Sequence, residues 1–204
     1  MFLALWLLLV STPSWAGEED EAVRAEYVRL SEDLDRLMQK NAWAGVERTF
    51  VKVQELGVPI EFDDWVAGAH AARQMGDITA ARDRLMRANE IREEREVLDW
   101  LWDVDSNYGQ VSLRGDPGAV TLAAVQMPFD PLMAKAVQFA EAKVAETGSY
   151  DGFLPAGTYA FAGISVKVQP RVTAARIDLR TDEGMAELRR QEKRAEKEER
   201  KRKK

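Results

Sequence analysis

Apolar residues recur every three or four positions over residues 21–102, which predicts a succession of amphipathic helices. Gly57 and Pro59 terminate one helical run, and Gly76 terminates another. A further helix is expected to begin after Asp63 or Asp64, either of which can cap it. In chain order, the apolar positions are Val23, Tyr27, Leu30, Leu34, Leu37 and Met38; Trp43, Val46, Phe50 and Val53; Trp65 to Met75; Ala81, Leu85 and Ala88; and Val97, Leu98, Leu101 and Trp102.

The period changes after Asn107. Residues 108–114 alternate between apolar and polar side chains, which predicts a strand, and further strands are predicted at 119–126, 158–162, 164–169 and 175–180. One helix interrupts them, with Asp130 as its cap, Pro131 in its first turn and Gly148 at its end. The chain is therefore predicted to be α+β, with helices first and then a small β-rich module that contains one helix.

The N-terminus is typical of a cleavable secretory signal. Residues 1–10 are apolar, and small residues at Ser14 and Ala16 suit a signal peptidase. The apolar run is shorter than the roughly 20 residues that span a bilayer. We expect cleavage after Ala16 and a periplasmic or secreted protein, with a buried N-terminal helix as the alternative. The predicted divisions are a signal peptide (1–16), a helical domain (17–106), a β-rich module (107–180) and a charged tail (181–204).

Composition excludes several kinds of chemistry. The chain of 204 residues has no cysteine and a single histidine, His70, which excludes disulfides, thiol nucleophiles and typical zinc sites. The net charge is −6, yet residues 187–204 carry ten Lys or Arg against five Glu, so the remainder is strongly acidic. An acidic body argues against nucleic-acid binding. The tail, either a solvated helix or disordered, is expected to make at most weak contact with anionic envelope surfaces.

No catalytic, metal or cofactor site is predicted. A serine triad would need His70, which lies between two alanines on a predicted helix. Residues 103–109 place oxygen ligands at alternate positions, but Arg114 stands where an EF-hand needs its closing glutamate, which favours a turn and capping cluster. A hydrolase that uses paired carboxylates remains open, because sequence cannot show two carboxylates facing each other.

The third and fourth predicted helices have small residues where two helices would cross, a glycine at the turn and larger residues between pairs. These positions are Trp65, Ala69, Ala72, Gly76, Asp77, Ala81, Leu85 and Ala88. The arrangement resembles a tetratricopeptide (TPR) repeat, and Asn41-Ala42-Trp43 and Phe50 occupy corresponding positions in an earlier pair over 21–56. The resemblance implies helix pairs with a concave face that binds protein segments; an ordinary helical bundle is the alternative.

Residues 152–159 contain a leucine, a proline, a glycine and a tyrosine in the order Leu154, Pro155, Gly157 and Tyr159. This stretch resembles the turn of PEGA-type and related carrier β-sandwiches. The resemblance implies that the proline and glycine fix a turn and that the tyrosine enters the core of the module.

We expect a non-enzymatic scaffold that binds a protein or peptide in a TPR-like groove. The candidate groove residues are His70, Arg73 and Gln74, on the first helix of the second pair. The alternative is a small-molecule or carbohydrate binder of the cell envelope, with a pocket between the two modules. The aromatic residues expected to line that pocket are Trp100, Trp102, Tyr108 and Tyr159.

Overall fold

The computed structural model describes residues 15–182, 184–186, 189, 190 and 193. The predicted signal peptide up to Ser14 and most of the predicted tail lie outside these residues. The fold is α+β, as the sequence predicts, with helices first and a β-rich module after them. The helices of the first part are α1 (Trp15–Gln39), α2 (Trp43–Glu55), α3 (Phe62–Met75), α4 (Ile78–Ile91) and α5 (Arg95–Asn107).

Helices α3 and α4 form a tight antiparallel pair. Gly76 ends α3 in the left-handed conformation, with φ of 91°, and the Asp77 side chain caps α4 by accepting a hydrogen bond from the Ala80 backbone N–H at 2.9 Å. Ala72 on α3 and Ala81 on α4 are each 1% exposed, so small side chains fill the seam, as predicted. Helix α1 also contacts α3, so the first helices of the two pairs are neighbours.

The start of α3 differs from the prediction. The helix begins at Phe62, and Glu61 occupies the N-cap position, so neither Asp63 nor Asp64 is a cap. Asp64 lies instead in the first turn, where its buried carboxylate accepts hydrogen bonds from the Tyr27 hydroxyl at 2.5 Å and the Ser31 hydroxyl at 2.9 Å. This tertiary contact with α1 stabilises a start of α3 that lies earlier in the chain than local capping alone predicts.

The β-rich module consists of two three-stranded sheets and one helix. Its elements are β1 (Tyr108–Arg114), β2 (Leu122–Ala124), α6 (Pro131–Thr147), β3 (Ser149–Pro155), β4 (Gly157–Phe161), β5 (Ile164–Val168) and β6 (Ala175–Asp178). In the first sheet the central β1 pairs antiparallel with β3 and parallel with β6; in the second the central β4 pairs antiparallel with β2 and β5. Helix α6 has the predicted Asp130 cap and Gly148 terminus.

The strand β3 is absent from the sequence-based prediction. Its Asp151, Gly152 and Pro155 are poor strand formers, and residues 152–159 resemble a turn in the sequence. Backbone pairing with all of β1 holds it extended. The turn itself occurs between Pro155 and Gly157, and Tyr159 is buried in the core at 2% exposure.

The two parts pack directly against each other. Helix α5 ends at Asn107 and β1 begins at the next residue, without a linker. Buried Ile78, Val104, Tyr108 and Ala136 form a shared apolar cluster between the helices and the module. The α3–α4 turn presses on α6 so closely that a Cβ on Gly76 would lie 2.4 Å from the carbonyl oxygen of Lys135.

Candidate functional sites

His70 lies at the centre of an aromatic cluster on the helical part. Its ring stacks on Trp43 of α2, with ring centroids 5.2 Å apart and planes inclined by 7°. The Trp100 ring of α5 meets it edge-on at 4.7 Å. His70, on α3, therefore bridges α2 and α5, and all three rings remain partly exposed.

The charge of His70 is set by this environment. Burial lowers the pKa of its imidazole, and the nearby Arg73 lowers it further, whereas Glu96 raises it. The ring is therefore neutral at pH 7. Its buried Nδ1 has no hydrogen-bond partner within the described residues. The ring contacts with Trp43 and Trp100 give His70 a packing role at the surface.

Arg73 extends the cluster by one turn of α3. Its guanidinium lies 5.3 Å from the centroid of the Trp100 ring, and its Nη2 donates to the Asp103 carboxylate at 2.8 Å. The other Asp103 oxygen accepts a hydrogen bond from the Asn107 amide at 2.8 Å. We call Trp43, His70, Arg73, Trp100 and Asp103 the aromatic strip. It crosses α2, α3 and α5, and the half-buried Gln74 adjoins it in sequence.

A second site lies where the helical part meets the module. This junction cavity has a volume of about 510 Å³ and brings together residues from α4, α5, β1, β3 and the β5–β6 loop. Arg82 spans it, with its Nε 2.9 Å from an Asp105 oxygen and its guanidinium 5.5 Å from the centroid of the Phe153 ring. Arg171 donates from Nη2 to the Ser106 hydroxyl at 2.9 Å.

Only part of the predicted aromatic pocket forms. Trp102 and Tyr108 line the junction cavity. Trp100 and Tyr159 do not: Trp100 belongs to the aromatic strip, and Tyr159 is buried in the module, where its hydroxyl donates to the Pro155 carbonyl at 2.8 Å. The aromatic pattern of α5 could not separate these roles, because Trp100 and Trp102 leave the helix on different sides.

Phe153, Arg82 and Arg171 also line the cavity, although no pattern in the sequence indicates them. Phe153 depends on the unpredicted strand β3, and Arg171 on a loop whose position no local pattern specifies. The alternate carboxylates Asp103 and Asp105 lie in the last turns of α5 and each pairs with an arginine, so this segment is a helix end and not a calcium loop.

The described part of the chain contains no group of three or more His, Cys, Asp or Glu side chains placed to hold a metal ion. None of its helices is long and apolar enough to cross a membrane. Comparison of the chain with protein-family models, curated proteins and solved structures finds no match.

Proposed function

We propose that the protein is a non-enzymatic scaffold whose TPR-like helix pairs bind a segment of another protein along the aromatic strip. The observation that carries this proposal is the strip itself, in which partly exposed rings and an arginine from helices α2, α3 and α5 form one continuous surface. Tryptophan and arginine are among the side chains enriched at the energetic centres of protein interfaces.

The fixed geometry of the strip supports the same role. Trp100 holds both His70 and Arg73 in place, and Asp103 fixes the guanidinium, so little side-chain entropy remains to be lost on binding. The neutral His70 leaves Arg73 and Asp103 as the charged groups of the strip. A partner segment with apolar side chains flanked by hydrogen-bonding groups fits this surface best.

Site-specific crosslinking tests the proposal. A photoreactive phenylalanine at Gln74, beside the strip, should crosslink a discrete protein in cells of the source organism. The same group at Met86, which is 42% exposed on α4, is the matched control. Arg73→Ala should lower the yield of the adduct formed from position 74. The variant should lose less than about 1 kcal/mol of stability, because the ion pair of Arg73 is partly exposed. Equal adducts at both positions, or an adduct indifferent to Arg73→Ala, would refute the groove.

We further propose that the scaffold works outside the cytoplasm, in the periplasm or after secretion. The apolar run and the Ser14-Trp15-Ala16 site support this location. Mass spectrometry of the protein from the cell envelope or medium should give Gly17 as the first residue. An intact Met1 in the soluble cytoplasm would contradict export.

A further inference from the structure

The junction cavity contains apolar surface that the fold leaves open to solvent. Trp102 is 65% exposed and Val172 is 57% exposed, and both line the cavity. The neighbouring Val104 is 2% exposed and packs into the shared cluster, so the helix is fixed without the Trp102 ring. A large ring held at the mouth of a cavity is a surface for another ring to stack on.

The cavity also carries a positive charge that no carboxylate in the described part of the chain balances. Asp105 neutralises Arg82 at 2.9 Å. Arg171, by contrast, is bonded to the neutral Ser106 hydroxyl, and within the described residues it has no carboxylate partner. A guanidinium has five N–H donors, so most of those of Arg171 remain available to an anion.

An unusual backbone conformation at Arg171 accompanies the position of its side chain in the cavity lining. Its φ of 57° lies in the left-handed region, which non-glycine residues rarely adopt and which is concentrated at binding and catalytic sites. The exposed amide of Gln110, on β1, completes the lining on the module side.

From these groups we infer that the junction cavity binds a sugar acid, with the pyranose ring stacked on Trp102 and its carboxylate held by Arg171. The Asp105 carboxylate and the Gln110 amide are the hydrogen-bonding groups for ring hydroxyls. The volume of about 510 Å³ lies within the range of small-ligand sites and exceeds that of one sugar ring. The free monosaccharide and the end of an acidic polysaccharide share this chemistry. The site lies apart from the aromatic strip, so the inference does not depend on the scaffold role.

Calorimetric titration of the full chain with four probes tests the inference. Galacturonate should bind, whereas galactose, which lacks the carboxylate, should bind about tenfold more weakly because the charge-assisted hydrogen bond is lost. Cyclohexanecarboxylate, which keeps the charge and a ring but lacks hydroxyls, should also bind more weakly. A trimer of galacturonate that binds more tightly than the monomer identifies a polysaccharide end as the source; equal affinity identifies the free sugar. Both results agree with the site.

Variants assign the binding to this cavity. Arg171→Gln should weaken galacturonate about tenfold and leave galactose unchanged, and Trp102→Ala should weaken both. Arg95→Gln is the matched control, because Arg95 is an exposed arginine on the same helix as Trp102 and lies outside the cavity. Thermal melts establish that each variant is folded. The inference would be overturned if galacturonate showed no measurable binding, or if galactose or cyclohexanecarboxylate bound as tightly as galacturonate. It would also be overturned if Arg171→Gln left the affinity for galacturonate unchanged.

Discussion

At the scale of single residues, the helical part is organised around a buried carboxylate. Asp64 is 3% exposed, and its two oxygens accept hydrogen bonds from Tyr27 and Ser31 of α1. The Tyr27 oxygen in turn accepts the Glu61 backbone N–H at 2.9 Å. The Tyr27 hydroxyl therefore forms hydrogen bonds with both the Glu61 backbone N–H before α3 and the Asp64 carboxylate in its first turn, which joins α1 to α3.

Tyr27→Phe tests this connection. The phenylalanine keeps the ring but leaves one Asp64 oxygen and the Glu61 N–H without their partner, so the free energy of unfolding should fall by about 1–3 kcal/mol. Urea denaturation measures the loss. In a double-mutant cycle with Asp64→Ala, much of the cost of Tyr27→Phe should disappear, since the unpaired carboxylate is gone. Fully additive losses would show that the hydrogen bond contributes nothing.

Two glycines separate the cost of backbone conformation from the cost of close packing. Gly76 and Gly57 both have positive φ, of 91° and 68°, but only Gly76 has neighbours within 4 Å of a Cβ, the nearest at 2.4 Å. Gly57→Ala should cost about 1–2 kcal/mol, the penalty of the left-handed conformation. Gly76→Ala should cost clearly more, because the methyl group also displaces the α3–α4 turn from α6. If urea melts gave equal losses of unfolding free energy for the two variants, the α3–α4 turn would have moved away from α6 at no cost.

At the scale of elements, the α3–α4 pair depends on small side chains in its seam. Ala81 is 1% exposed on α4, so Ala81→Leu adds three carbon atoms to a packed contact and should lower the free energy of unfolding by about 1–3 kcal/mol. Ala25, exposed on α1, is the control position, where the same substitution should change stability little. A silent Ala81→Leu in urea melts would remove the main support for the repeat and, with it, for the groove.

The sequence predicted those elements whose own side chains specify them. The α3–α4 turn and the two ends of α6 were predicted because Gly76, Asp130 and Gly148 act locally. Strand β1 was predicted because its own side chains alternate between apolar and polar. Strand β3 was missed because its pairing with β1, and not its composition, keeps it extended. Local rules likewise misplaced the start of α3, where a contact with Tyr27 outweighs capping.

The candidate sites were harder to predict than the elements, because long-range contacts create them. Helical spacing alone predicts His70, Arg73 and Gln74, yet the contacts of His70 with Trp43 and Trp100 require the relative placement of three helices. The cavity residues Arg82, Phe153 and Arg171 are distant in sequence, and no periodicity relates them. Sequence can therefore indicate which helix contributes residues to a site, but not which residues of other elements complete it.

At the scale of the whole molecule, the four tyrosines report on every part of the fold. Tyr27 lies in the core of the first helix pair, Tyr150 and Tyr159 lie in the core of the module, and Tyr108 lies in the cluster that joins the two parts. Burial raises the pKa of each phenol above its ordinary value of 10.0, to about 12 for Tyr108. The hydrogen bond to Asp64 raises the pKa of Tyr27 further.

These shifts predict a cooperative loss of structure at alkaline pH. The folded state binds the phenolic protons more tightly than the unfolded chain, so this contribution to stability is complete below about pH 10 and is lost as the pH rises through 10 toward the folded pKa values. Tyrosinate absorbance and far-ultraviolet circular dichroism should therefore change together in one reversible step above pH 10, whereas the chain unfolded in guanidinium should titrate near 10. Because the shared cluster and the Gly76 contact join the two parts, we expect a single transition for all four phenols. A phenol that ionises near pH 10 in the native fold would contradict its burial, and two separate steps would show that the helices and the module unfold independently.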